Sequence, residues 1–249
     1  MIKSIIESYV NTHKIPGLSF CAHTKKNGLY EYNIGYADLE NEKKVVSDTV
    51  FEIGSLTKVF TSTAILRLIE MKQLTLDARI SNYFKNSPKC WEHINIQHLL
   101  THSSGLCNYT DTPYFKEVRG RDKSTTGFIN FIMNTQTEFQ PGEKIAYSNT
   151  GYYILGLIIE KITHNTFINF IQKEVIKENL SNIFPHISLA AVENKTTGYK
   201  MSAHKLKSTT YYDPILTYAA GMLAATTKGL VTWLDLLFSN NIILKKTLK

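Results

Sequence analysis

Asn27-Gly28 lies between two runs, Leu18 to Lys26 and Leu29 to Ala37, that read as extended chain. Asn-Gly is the strongest short-range hairpin signal, because both positions of the favoured two-residue turn need positive φ. A β-hairpin is therefore predicted near the start of the chain. Two strands alone are marginal in water, so this hairpin must be covered by further strands or by a helix. Most of the remaining sequence carries helical periodicity. Ile2, Ile5, Ile6, Tyr9 and Val10 recur at helical spacing over 2–12, until Pro16-Gly17 stops them. Ser55 to Met71 follows, with Val59, Ile65, Leu66, Leu68 and Ile69 among its apolar positions. Further helices are predicted around 94–101, 125–134, 149–163, 166–178 and 227–238, separated by Gly, Pro, Ser and Asn clusters. The other extended segments fall near 187–192 and 197–201. The pattern predicts an α+β fold in which a small sheet serves a large helical part.

The 249 residues suffice for one large domain, and 43% hydrophobic with 20% charged residues is ordinary for a folded protein. The net charge of +7 comes from 28 basic and 21 acidic side chains. Part of the excess sits in short groups such as Lys25-Lys26, Lys43-Lys44 and Lys245-Lys246. No basic stripe is interleaved with aromatics, so nucleic acid is not an expected partner. Cys21, Cys90 and Cys107 are odd in number and lack C-x-x-C spacing, which fits neither a disulfide framework nor a zinc site. No apolar run reaches the ~18 residues of a membrane span. The N-terminus, with Glu7 close behind Ile5-Ile6, lacks the pattern of a signal peptide. The expected compartment is the cytoplasm, or the periplasm or exterior if an export segment has been removed.

Chemistry concentrates in two places. Ser55-Leu56-Thr57-Lys58 stands at the start of a predicted helix, directly behind Phe51-Glu52-Ile53-Gly54. A serine is a poor nucleophile until a nearby base takes its proton. On a helix, residues at i and i+3 share a face about 5–6 Å apart, which puts the Lys58 amine within reach of the Ser55 hydroxyl. The positive end of the helix dipole favours negative charge developing there. The second place is Tyr147-Ser148-Asn149-Thr150-Gly151, which follows Pro141-Gly142 and opens another apolar helix. A phenol beside a lysine can shuttle a proton, and an asparagine amide can donate to a carbonyl and accept from an N–H. Read without context, Asn149 caps its helix and Tyr147 packs in the core.

Other motifs fail on their missing parts. His98 and His102 have i, i+4 spacing, but no glutamate follows the first as H-E-x-x-H requires. Gly151 to Gly156 has P-loop glycine spacing without the Lys-Ser/Thr, and its bulky interior reads as helix. There is no G-x-S-x-G elbow. No metal or other cofactor is expected.

Four landmarks occur in order: S-L-T-K behind F-E-I-G, then Leu99 to Leu106 (L-L-T-H-S-S-G-L), then Y-S-N-T-G-Y, and finally Ala219 to Thr226 (A-A-G-M-L-A-A-T). In this the chain is similar to the serine β-lactamase-like, penicillin-binding-protein-like family, which includes class C β-lactamases, D-alanyl-D-alanine carboxypeptidases and related esterases. The likeness runs over essentially the whole chain. It implies a serine hydrolase that forms an acyl-enzyme with an ester, amide or β-lactam, its substrate a small molecule or peptide. Ser55 would be the nucleophile, Lys58 its activating partner, Tyr147 the general base and acid, and Asn149 a substrate-positioning amide. The His102-Ser103-Ser104-Gly105 loop takes a structural role.

Relatives also carry a third motif, Lys-Thr-Gly or His-x-Gly, on a strand well beyond the last helix. Lys246-Thr247-Leu248 echoes it, but leucine replaces the glycine that admits a ligand to the backbone, and the spacing is too short. That strand supplies one N–H of the family's oxyanion hole, and a lost donor costs ~2.7–4 kcal/mol in a protease precedent. The resulting expectation is a single domain, 1–249. Residues 1–59 hold helix and hairpin, 60–215 form a helical subdomain, and 216–249 return to an α/β part whose C-terminal strands are missing. Two consequences are open: a complementing chain that supplies those strands, or an impaired remnant that acts as a binding module or has no function.

Overall fold

The computed structural model describes residues 2–118, 125–177, 182–185, 191–203, 205–209 and 213–247. Its helices are α1 (Ile2–His13), α2 (Thr57–Glu70), α3 (Ile96–Leu100), α4 (Pro113–Val118), α5 (Thr125–Met133), α6 (Asn149–Thr163), α7 (Phe167–Phe170), α8 (Tyr218–Gly221) and α9 (Thr227–Phe238). The strands are β1 (Gly17–Thr24), β2 (Gly28–Asp38), β3 (Lys43–Lys44), β4 (Phe51–Glu52), β5 (Ile183–Pro185), β6 (Tyr199–Ser202), β7 (Lys205–Ser208) and β8 (Leu223–Ala225). The class is α+β, and the chain divides into two compact units.

One unit comprises Met1–Ile53, Asn179–Thr210 and Leu223–Phe238. Its hairpin pairs Gly17 with Gly35 through to Thr24 with Gly28, and β3 extends the sheet in the order β1-β2-β3. The predicted Asn27-Gly28 turn is replaced by a three-residue loop, Lys25 to Asn27, with only Gly28 at positive φ (67°). Gly28, paired with Thr24 just past the loop, takes the left-handed backbone that glycine adopts without steric cost. Asn27 gives its N–H to Thr24 Oγ1 at 3.1 Å. Helices supply the required cover. Ser19 Oγ bonds Thr227 Oγ1 of α9 at 2.7 Å, and Tyr32 donates to Glu7 of α1 at 2.7 Å. Because side chains alternate along a strand and paired residues share a face, these helices address opposite faces of the hairpin.

A second sheet in this unit was not foreseen. Its order is β4-β8-β5, with the buried Leu223–Ala225 strand in the middle. Thr226 then caps α9, its Oγ1 accepting the Gly229 N–H at 2.9 Å. The segment predicted near 197–201 pairs as β6 with β7. Of the segment near 187–192, positions 187–190 lie outside the described residues.

The other unit comprises Gly54–Glu178, Tyr211–Met222 and Ser239–Lys249. Its core is built by Phe60, Ala64, Ile65 and Leu68 of α2 and by Tyr153, Ile154, Leu155, Ile158 and Ile159 of α6, all buried. Gly156 sits inside α6, where glycine costs about 1 kcal/mol against alanine. A Cβ there would lie 2.5 Å from Ala219 Cβ and 2.6 Å from the Tyr218 ring, so its absence lets α8 lie directly on α6. Thr61 of α2 donates to the Ala219 carbonyl at 2.7 Å and fixes α8 from the other side. The helix predicted over 166–178 is α7 followed by a π-helical turn, Ile171–Ile176. Ile171, Val175 and Ile176 are all buried, and a wider turn accommodates that i, i+4, i+5 spacing.

Candidate active site

Gly54, at φ 50°, begins a tight 3₁₀ turn, Gly54–Leu56, that runs directly into α2. Left-handed backbone favours glycine, which explains the residue ahead of the serine. The turn carries Ser55, and the first turn of α2 carries Lys58. Lys58 is only 6% exposed. Its Nζ donates to Ser55 Oγ at 3.2 Å, Asn149 Oδ1 at 2.8 Å and the Ala220 carbonyl at 2.7 Å. An ammonium has three N–H donors and no acceptor, so all three are engaged. Burial pushes Lys58 below the ordinary lysine value, opposed by the Tyr147 phenol beside it. When the amine is neutral, it keeps two donors and gains a lone pair. Asn149 Oδ1 and the Ala220 carbonyl can only accept, so the lone pair falls to Ser55, the one partner with a proton to give.

Tyr147 is 51% exposed, and its hydroxyl donates to Ser55 Oγ at 2.9 Å. A hairpin-like pair of loops holds it. Gly142 N–H bonds Ser103 O at 2.8 Å, and Ala146 N–H bonds His102 O at 2.8 Å. Gly105 (φ 77°) lets this pair close, since a Cβ there would stand 2.1 Å from Phe139 O. His102, itself left-handed at φ 57°, inserts its ring beside Tyr147 (centroids 4.6 Å apart) and Tyr152 (5.1 Å). Its Nδ1 accepts the Ser148 N–H at 3.1 Å, so the neutral ring carries its hydrogen on Nε2. Burial holds His102 below the ordinary histidine range, and the charge of Lys58 adds to this.

Asn149 opens α6. Its backbone N–H and its Nδ2 both reach Asn108 Oδ1, at 2.9 and 3.2 Å, and Nδ2 also reaches Thr110 Oγ1 at 3.2 Å. The structure thus brings Ser55, Lys58, Tyr147 and Asn149 into one hydrogen-bonded cluster. It also draws in groups to which the sequence assigned no part in the chemistry: the Ala220 carbonyl, the His102 ring, Asn108 and Thr110. His98 is held elsewhere, in a capping box with Asn95 at the start of α3. Thr247 donates to Glu70 Oε1 at 2.7 Å. Glu70 ends α2, twelve residues past Lys58 and so about 18 Å along the helix. Leu248 lies outside the described residues.

The family model Beta-lactamase matches residues 2–249, and the chain belongs to that family. Penicillin-binding protein 4* of Bacillus subtilis is 26% identical over 219 residues, covering 86% of this chain and 47% of its own length. Protein flp of Staphylococcus aureus is 31% identical over 182 residues, 71% of this chain and 36% of its own. The chain therefore spans less than half the length of either relative. The octameric penicillin-binding protein homologue from Pyrococcus abyssi superposes with a TM-score of 0.86 at 26% identity, over 98% of this chain and 58% of that one. The fold is thus β-lactamase/transpeptidase-like. None of these likenesses supports a separate complementing chain. Among the described residues, no helix is long and apolar enough to cross a membrane.

Proposed function

We propose that the protein is a serine hydrolase working through an acyl-enzyme on an ester, amide or β-lactam carbonyl. The observation that carries this reading is the wiring of Lys58: two obligate acceptors take its N–H groups and leave its lone pair facing Ser55. Tyr147 stands on the same oxygen, on the exposed side. In acylation Ser55 Oγ bonds to the carbonyl carbon while its proton passes to the Lys58–Tyr147 pair. The bond to the leaving group breaks, and the pair returns the proton to that group. Water then bonds to the acyl carbon and gives up a proton to the pair, which restores it to Ser55 Oγ as the ester breaks. Membership of the family, and the name of the Bacillus subtilis relative, make a penicillin the first probe.

The test is covalent labelling of the purified chain by a fluorophosphonate and by a penicillin, with turnover of p-nitrophenyl esters and nitrocefin. Ser55→Ala is expected to abolish labelling and to lower turnover by at least ~10³-fold, as serine removal does in a protease. Its circular dichroism should be unchanged. Labelling of the alanine variant at the wild-type level overturns the assignment of Ser55. A folded wild-type protein that neither labels nor turns over overturns the hydrolase reading.

A further inference from the structure

The amide of Asn149 offers Lys58 its oxygen, and something must choose that face, because a flipped amide would set N–H against N–H. We infer that Asn108 makes the choice: it is a positioning residue that fixes the Asn149 amide, and through it the acceptor for Lys58. Its effect on rate rests on the acyl-enzyme reading above, whereas the orientation itself does not.

Asn108 Nδ2 donates to Asp111 Oδ2 at 2.9 Å and to Thr110 Oγ1 at 2.8 Å. An ionised carboxylate only accepts, so the nitrogen of Asn108 must face Asp111 and its oxygen must face α6. There Oδ1 takes both the backbone N–H and an amide hydrogen of Asn149, and Thr110 takes Asn149 Nδ2 as well. With its nitrogen committed, Asn149 turns Oδ1 to Lys58 at 2.8 Å. Every link donates in one direction, from Lys58 through Asn149 and Asn108 to the carboxylate of Asp111. Opposite charges end the chain, so reversing any single amide breaks a bond on both of its sides. The same commitment leaves Asn149 no free N–H for a substrate carbonyl until one of these bonds opens.

The backbone around Asn108 is secured independently of its side chain. Thr150 Oγ1 donates to the Cys107 carbonyl at 2.6 Å and accepts the Tyr109 N–H at 3.0 Å. Asn108→Leu, similar in size but without hydrogen-bonding groups, is therefore expected to fold. An aspartate variant, Asn108→Asp combined with Asp111→Asn, keeps oxygens that can accept both Asn149 N–H groups and exchanges donor and acceptor between 108 and 111, so that two carboxylates do not face each other.

The experiment combines kinetics with hydrogen exchange of the Asn149 side-chain amide by NMR, the resonance pair being assigned from its loss in Asn149→Asp. Wild type and the aspartate variant should both protect the pair, and Asn108→Leu should exchange it about tenfold faster or more. In ester hydrolysis Asn108→Leu should lose kcat by about 10- to 100-fold, the scale of a misplaced group, with KM within about threefold. The aspartate variant should recover most of that loss. Equal exchange in wild type and Asn108→Leu overturns the assignment. So does an aspartate variant that behaves as the leucine variant, which would mark a packing role. If wild type shows no Ser55-dependent acylation, the hydrolase reading fails, and the exchange experiment still decides the orientation.

Discussion

Two helix starts meet at this site and are built on opposite terms. α6 opens with Ser148 in extended conformation (φ −136°, ψ 118°), its Oγ accepting the Gly151 N–H, while Asn108 takes the N–H of Asn149. These bonds satisfy donors that every helix start leaves open. α2 opens from Leu56, already helical (φ −61°, ψ −22°), with no side-chain cap. Ser55, of a residue type that caps well, accepts hydrogen bonds from Lys58 and Tyr147 at its Oγ instead of capping the helix. Lys58 then places a cation in the first turn, where the dipole disfavours it by about 0.3–1 kcal/mol. Local rules are kept at α6 and broken at α2, as expected where side chains are committed to chemistry rather than to holding the chain.

Paired substitutions can break this contrast. Lys58→Met removes the donor to Ser55 at nearly constant size. Ester turnover and fluorophosphonate labelling should slow by roughly 10²–10⁴-fold, the usual scale for a positioned acid or base. Melting should move little, because losing a buried cation offsets leaving two acceptors without a donor. Ser148→Ala should do the reverse. A lost N-cap costs about 1 kcal/mol, or about 2–4 °C in Tm for a chain of this size. Turnover should fall less than about tenfold, since the Ser148 N–H still reaches His102. The contrast is wrong if Lys58→Met melts several degrees lower at an unchanged rate, or if Ser148→Ala loses rate without losing Tm.

The same contrast explains what could be read from sequence. Both helices were legible because apolar periodicity and S-x-x-K or Y-x-N coincide at their starts; the prediction of 149–163 matches α6 (Asn149–Thr163). The β4-β8-β5 sheet was not legible. Its strands are two or three residues long, too short to show alternation, and Phe51 pairs with Ala225 across most of the chain. The hairpin runs were legible but not the turn, since the Asn-Gly rule does not count the Thr24 hydroxyl that Asn27 uses. Asn108, Thr110 and Asp111 are common loop residues, and nothing in their order announces that the first two face α6 while Asp111 holds Asn108 from the other side. His102 was assigned to structure only, because its left-handed backbone and its placement beside Tyr147 are tertiary facts.

His102 gives the smallest and most diagnostic effect. Its ring faces Tyr147, Tyr152 and the charge of Lys58, and its Nδ1 must be unprotonated to accept the Ser148 N–H. Protonation turns that acceptor into a donor aimed at another donor. Since the folded pKa lies below the usual 6.5, the unfolded chain binds more protons between those two values. Stability from this group is therefore full above about pH 6.5 and falls as pH drops toward the folded pKa. His102→Asn retains an acceptor, tolerates positive φ and does not titrate. Its turnover at pH 7 should stay within about tenfold of wild type, the tilted ring contacts being lost but not the hydrogen bond. Between pH 7 and 5 its Tm should fall less than that of wild type. His98, also held low by burial, contributes equally to both proteins and cancels in the difference. Identical pH slopes for the two proteins would place the acid sensitivity elsewhere and leave His102 as packing for Tyr147 alone.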